Sequence, residues 1–124
     1  MSNRALFLQY IEAYNAKEVS GMLGFFADGC RFEHVSAGKV TVRAEGKAEL
    51  EALARKSAGA FASREQRVLT VTEEGGRLVA EIECHAVLQQ DLTPDLRAGS
   101  RLDLRGVSVV EFSGGKIVRL SDYA

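Results

Sequence analysis

The sequence lacks most of what would tie it to a special environment. It has one proline, Pro94, so only the stretch Asp91–Gly99 reads as a loop by virtue of a stiff residue. It has two cysteines, Cys30 and Cys84, far apart and without metal-ligand spacing. The expectation is buried free thiols in a reducing cytoplasm, the alternatives being a disulfide or a nucleophilic cysteine. Neither sign of charge is in excess: 16 basic and 17 acidic residues leave a net charge of −1. The charges are interspersed, so nothing electrostatic points to nucleic acid or to an anionic membrane. No stretch approaches the ~20 apolar residues of a membrane span. The start, Met1-Ser2-Asn3-Arg4, runs directly into an amphipathic pattern and does not read as a signal peptide. There are no repeats, low-complexity tracts or motifs for an organic cofactor or metal.

What is present is an ordinary globular composition, 46% hydrophobic and 27% charged over 124 residues. Residues 1–124 are expected to form one domain with a sizeable core. Leu6, Tyr10, Ala13 and Tyr14 recur at helical spacing, and Phe7 and Ile11 widen the stripe, which predicts a helix over 3–16 capped by Ser2 or Asn3. Val19, Met22, Leu23 and Phe26 predict a second, shorter helix ended at Asp28-Gly29 by a left-handed glycine. Cys30–Val35 and Val40–Arg43 read as extended. A third helix is expected from Gly46 to Ala62, burying Leu50, Leu53, Ala54 and Phe61. From Arg67 onward the period changes to two, and every later element reads as a strand: 67–74, 77–90, 100–112 and 116–123. In the second of these, Leu78, Ala80, Ile82, Cys84, Ala86 and Leu88 share one face, which must be buried. Val79, Glu81, Glu83, His85, Val87 and Gln89 share the other. Helices first and a meander of long strands afterwards imply an α+β fold, with helices on one face of a curved antiparallel sheet and room for a cavity between the layers.

His34 is the first candidate for chemistry. It shares a strand face with Cys30 and Phe32, so it is expected to point inward. A titratable imidazole among core residues is either a satisfied structural group or the base of a pocket. Asp122 shares a face with Val118 and Leu120. There it is either an exposed acid at a strand end or a carboxylate needing a partner such as His34 or Tyr10. Tyr10 and Tyr14, one turn apart, either pack in the core or turn their hydroxyls toward a ligand. Cys84 is a nucleophile only if the fold supplies a neighbour that stabilises its thiolate. His85, Glu81 and Glu83 are placed on the outer sheet face, where a metal site lacks an evident third ligand.

Several segments resemble a known superfamily. Tyr10-Ile11-Glu12-Ala13-Tyr14-Asn15-Ala16, Phe26-Ala27-Asp28 and Phe32-Glu33-His34 are similar to the opening of ketosteroid isomerases. More widely, they resemble the SnoaL-like and nuclear-transport-factor-2-like superfamily. Ala44-Glu45-Gly46-Lys47-Ala48-Glu49-Leu50 resembles the start of that superfamily's third helix. Gly115-Lys116-Ile117 with Ser121-Asp122-Tyr123 resembles its closing hairpin, especially in limonene-epoxide hydrolases. The resemblance implies a cone-shaped barrel of curved antiparallel sheet wrapped around three helices, with an apolar pocket and commonly a homodimer. It also implies roles. Tyr10 falls on the isomerases' oxyanion-donating tyrosine, His34 on their aspartate base, and Ser108 near their protonated aspartate. Asp122 falls on the terminal aspartate of the epoxide hydrolases' Asp-Arg-Asp triad, but Cys84 and Ala86 stand at the other two positions. Epoxide hydrolysis is therefore the weakest expectation.

Together these readings predict a protein with a pocket for an apolar small molecule, requiring neither metal nor organic cofactor. His34, Tyr10 and Asp122 are its candidate catalytic groups. Tyr14, Phe26, Phe32, Cys84, Ser108, Val110 and Leu120 are expected along the pocket. The chemistry expected of an enzyme is isomerisation or cyclisation by proton transfer, as in polyketide cyclase-like relatives. The alternative is a non-catalytic binding or interaction module. A homodimer is expected through the outer sheet face, where Val79, Val87, Val107 and Val109 gather.

Overall fold

A computed structural model describes all 124 residues. Helix α1, Asn3–Asn15, begins where the Ser2 hydroxyl accepts the Ala5 N–H at 3.1 Å. It buries Leu6, Phe7, Tyr10, Ile11 and Ala13, the inward stripe of an amphipathic helix. Helix α2 is a single turn, Val19–Leu23. Strands β1, Phe26–Ser36, and β2, Lys39–Glu45, lead into α3, Gly46–Ala60. Four long strands complete the chain: β3, Phe61–Glu74; β4, Arg77–Leu88; β5, Arg101–Ser113; and β6, Lys116–Tyr123.

The class is α+β, with three helices on one face of a curved six-stranded sheet. The strand order is β2-β1-β6-β5-β4-β3. Two features differ from the expected barrel. The sheet is mixed, because β6 lies parallel to β1. It also stays open, with β2 and β3 as its edges. The residues of β6 that pair with β1 lie about ninety positions later in sequence, so no local pattern specifies the direction of pairing.

Two local expectations are also corrected. The second helix stops at Leu23, and Asp28-Gly29 lies within β1. The Gly24 and Phe25 amides tighten the last turn onto Ser20 and Met22, and the Phe25 carbonyl then accepts the Ile117 N–H at 2.8 Å. Capture by β6 overrides the helical pattern through Phe26. Asp28-Gly29 instead sits where the register against β6 shifts. Likewise α3 ends at Ala60, and β3 begins at Phe61 instead of Arg67. The long strand β4 offers pairing groups as far as Leu88, so the chain leaving α3 pairs at once, Phe61 with Leu88.

Strand β4 alternates as its sequence requires: Leu78, Ala80, Ile82, Ala86 and Leu88 are buried, while Val79 and Glu81 are exposed. The core joins this face to α1 and to Phe26, Cys30, Val110, Ile117 and Leu120. Both cysteines are free, Cys30 in the core and Cys84 half-buried. On the outer face, His85 bonds Asp103 through Nδ1 at 2.5 Å and Glu83 through Nε2 at 2.6 Å. These two hydrogen bonds, Asp103 first, raise the imidazole's proton affinity. Asp103 is the third polar partner that sequence spacing did not reveal; the β4–β5 register brings it opposite His85. With both ring nitrogens engaged, the cluster is an ion-paired triad that ties β4 to β5.

Candidate functional site

The sheet curls over the helices and leaves a cavity of about 320 Å³. Most of its wall is apolar, with Met22, Phe26, Phe32, Leu50, Leu53 and Ile82 contributing from four elements. A few polar groups interrupt that wall, which is the usual composition of a small-molecule site.

Three of them form one row. The parallel β1–β6 register sets His34 beside Asp122, and the antiparallel β5–β6 register sets Asp122 beside Ser108. Laterally paired residues project to the same face of a sheet, so all three point inward and border the cavity. The Ser108 hydroxyl donates to Asp122 Oδ1 at 2.6 Å. Asp122 is hydrogen-bonded to Ser108 and not to His34, whose imidazole acts on it through space. Burial raises the Asp122 carboxyl above its ordinary range, with Ser108 and His34 opposing that rise.

Tyr10 reaches the cavity from α1. Its ring packs edge-on against Phe26 at 5.4 Å and 84°. Burial, then the charge of Asp122, pushes its hydroxyl well above the ordinary tyrosine value, so it keeps its proton and remains a donor. Burial likewise raises Tyr14. The Arg64 guanidinium lies 3.8 Å from the centre of the Tyr14 ring. Cys84 borders the same cavity, and burial raises its thiol despite the opposing charge of Arg64. A thiol held protonated is a small piece of wall and not an activated nucleophile.

Of the residues expected along the pocket, Tyr14, Phe26, Phe32, Cys84 and Ser108 border it. Val110 and Leu120 do not: they are 0% and 1% exposed within the core cluster. They sit two residues along from Ser108 and Asp122 on the same inward faces, where packed side chains fill the space. Gly106 also borders the cavity, and a Cβ there would meet the Tyr123 carbonyl oxygen at 2.5 Å. Only a glycine lets the end of β6 close so tightly over β5.

Sequence reasoning overlooked Arg64, which is 5% exposed on the cavity wall. It falls in the segment read as the link between α3 and the first strand, where an arginine carries no signal of burial. The premature start of β3 turns it inward.

The Asp122 carboxyl has a direct consequence for stability. At acidic pH, below the unfolded value, both folded and unfolded chains hold its proton. As pH rises through the ordinary carboxylate range the unfolded chain ionises first, so the folded state loses stability relative to it. Asp122→Asn retains an acceptor for Ser108 and removes that loss. At pH 7 this variant is expected to unfold roughly 3–6 °C above the unaltered protein, a gain on the order of 1 kcal/mol, and the difference should vanish near pH 3. Thermal melts at both pH values measure it. An equal difference at both would assign the effect to packing instead.

A SnoaL-like domain profile matches residues 7–120. No curated protein matches the chain. Among solved structures, a candidate polyketide cyclase from Pseudomonas putida superposes with a TM-score of 0.79 at 22% identity, over 100% of this chain and 92% of that one. A protein with a ketosteroid isomerase-like fold from Catenulispora acidiphila, in complex with trimethylamine, gives 0.80 at 10% identity, over 96% and 84%. An LEH-like epoxide hydrolase from M. tuberculosis gives 0.75 at 16% identity, over 96% and 79%. At these identities the likeness is one of fold, a fold that carries several chemistries.

Proposed function

This chain belongs to the SnoaL-like domain family, and on that premise we propose that it binds an apolar carbonyl compound and isomerises or cyclises it by proton transfer. The observation that carries this reading is the inward row His34, Asp122 and Ser108 facing an apolar cavity that Tyr10 also borders. His34 takes a proton from the carbon next to the carbonyl. The C–H electrons pass into the enolate, and the negative charge settles on its oxygen. The Tyr10 O–H donates to that oxygen. Asp122, in its ionised form, stabilises the imidazolium. The proton then returns at another carbon, or the enolate carbon attacks a second carbonyl and closes a ring. The chemistry uses only this chain's side chains.

One observation favours a non-catalytic binding module instead. The Ser108 hydroxyl is engaged by Asp122 and not offered to a ligand. Turnover separates the two readings. The protein is incubated in D₂O with 2-tetralone, an apolar bicyclic ketone, and loss of its α-proton signal is followed by NMR. Exchange faster than in buffer supports proton transfer. Exchange at the buffer rate, with binding of 2-tetralone established by titration, sinks it and leaves the binding module.

The reading includes a homodimer through the outer sheet face. Val79 is 37% exposed there, with half-buried Val109 opposite it and Val107 two residues along; Val87, also half-buried, stands at the far end of β4. Sedimentation velocity should return about twice the chain's 13.5 kDa; a monomer at micromolar concentration would refute the dimer.

A further inference from the structure

We infer that the compound bound in this cavity carries an anionic group, of the carboxylate class, and that Arg64 receives it. This rests on the reading of the cavity as a ligand site and adds the chemistry of one end of the ligand.

Arg64 is 5% exposed, and its guanidinium is charged at any working pH. It donates through Nη1 to Ser57 Oγ at 2.9 Å and through Nη2 to the Tyr14 carbonyl at 3.3 Å. That uses two of five N–H donors and leaves three. Nε is buried with no partner at all. Most of the protein's other arginines with short contacts reach a carboxylate: Arg55 meets Glu51, Arg67 meets Glu65, Arg101 meets Asp103 and Arg119 meets Glu33. Arg64, the most buried of them, has none within 4 Å. A buried cation without a counter-ion is costly, and proteins rarely keep one idle.

The only side-chain carboxylate on the cavity wall does not balance it. Arg64 on β3 pairs with Ala86, which pairs with Leu102 on β5. Asp122 pairs with Ser108, six residues further along β5, and forms no ion pair with Arg64, although the charges of both reach Tyr14 and Cys84. The cavity therefore has a fixed positive charge on β3 beside Tyr14 and Ser57, while His34 and Asp122 stand on β1 and β6. An elongated apolar molecule with an acid at one end and a carbonyl at the other satisfies both. The acid would also fix which end faces His34.

A purely structural Arg64, bracing α1 and α3 against β3, predicts no preference between an acid and its ester. Binding of 2-naphthoate and of methyl 2-naphthoate is compared by isothermal titration, using the unaltered protein and Arg64→Met. The unaltered protein is expected to bind the acid about 10–100-fold more tightly than the ester. Arg64→Met should abolish that preference while leaving ester affinity within a few-fold, and Arg64→Lys should restore part of it. Equal affinities in the unaltered protein overturn the inference without need of a variant. So does a preference that survives Arg64→Met. Ester binding or 2-tetralone exchange without acid preference leaves the proposed function standing and removes only Arg64's role. No binding of either naphthalene removes Arg64's role, and only if 2-tetralone is also neither bound nor exchanged does the proposed function fall with it.

Discussion

Replacing His34 with alanine is expected to lower protein-dependent exchange of 2-tetralone α-protons by about 10²–10⁴-fold, the usual worth of a positioned general base. His34 borders the cavity from β1, half-buried, with Phe32 on the same inward face and Asp122 at its side. It makes no side-chain hydrogen bond to any other residue; beyond its strand pairing, its backbone carbonyl accepts the Thr41 hydroxyl at 3.2 Å. Truncation therefore breaks no hydrogen-bonded network, and the fold should survive it. A thermal midpoint close to that of the unaltered protein, together with lost exchange, isolates the chemical role. The other wall groups do not substitute for it. The Tyr10 hydroxyl and the Cys84 thiol are held protonated by burial, and the Asp122 carboxylate is engaged by the Ser108 hydroxyl. Exchange that survives His34→Ala undiminished would remove His34 as the base.

Phe7→Ala is expected to destabilise the domain by about 3–5 kcal/mol, lowering Tm by roughly 10–20 °C. Phe7 is 0% exposed on α1 and is not part of the cavity wall. Its ring centre lies 6.2 Å from that of Tyr10, which in turn packs against Phe26. Removing it deletes an aromatic side chain and leaves a void in a close-packed core whose other members are already buried. A domain of this size is stabilised by only about 5–15 kcal/mol in total, so the loss is a large share. Denaturant unfolding at constant slope measures it. A cost below 1 kcal/mol would show that the core collapses around the gap. Because Phe7 supports Tyr10 from behind, the variant should also loosen the hydroxyl proposed to meet the oxyanion.

The elements that were readable from sequence were those whose signal is local. The stripe of α1 and the alternation of β4 stand in the structure as their periodicities require, because burial of one face follows directly from spacing. The glycine pairs that turn β3 into β4 and β5 into β6 adopt the left-handed backbone their sequence permits. His34 and Ser108 were legible as inward residues by the same alternation and Tyr10 by the stripe of α1, whereas Asp122 read equally as an exposed strand end; all four border one cavity. Arg64 was not legible, since its burial follows from where β3 begins. That start is set by pairing with a strand more than twenty residues later. Val110 and Leu120 were assigned to the right face, but a period-two pattern does not distinguish packed core from cavity wall.

The sequence by itself determined the class of fold, the inward faces and the balance of charge, because these depend on residue spacing and composition alone. Tertiary structure decided the parallel β1–β6 pairing and with it the neighbourhood of His34 and Asp122. It also decided the Ser108–Asp122 bond, the Asp103 partner of His85 and the inward Arg64. The physical reason is common to all of them. Which strands become neighbours is settled by the backbone's need to pair every buried N–H and C=O and by the fit of the helices against the sheet. Those demands are met between residues far apart in the chain, so the polar groups around the cavity acquire partners that no local pattern records.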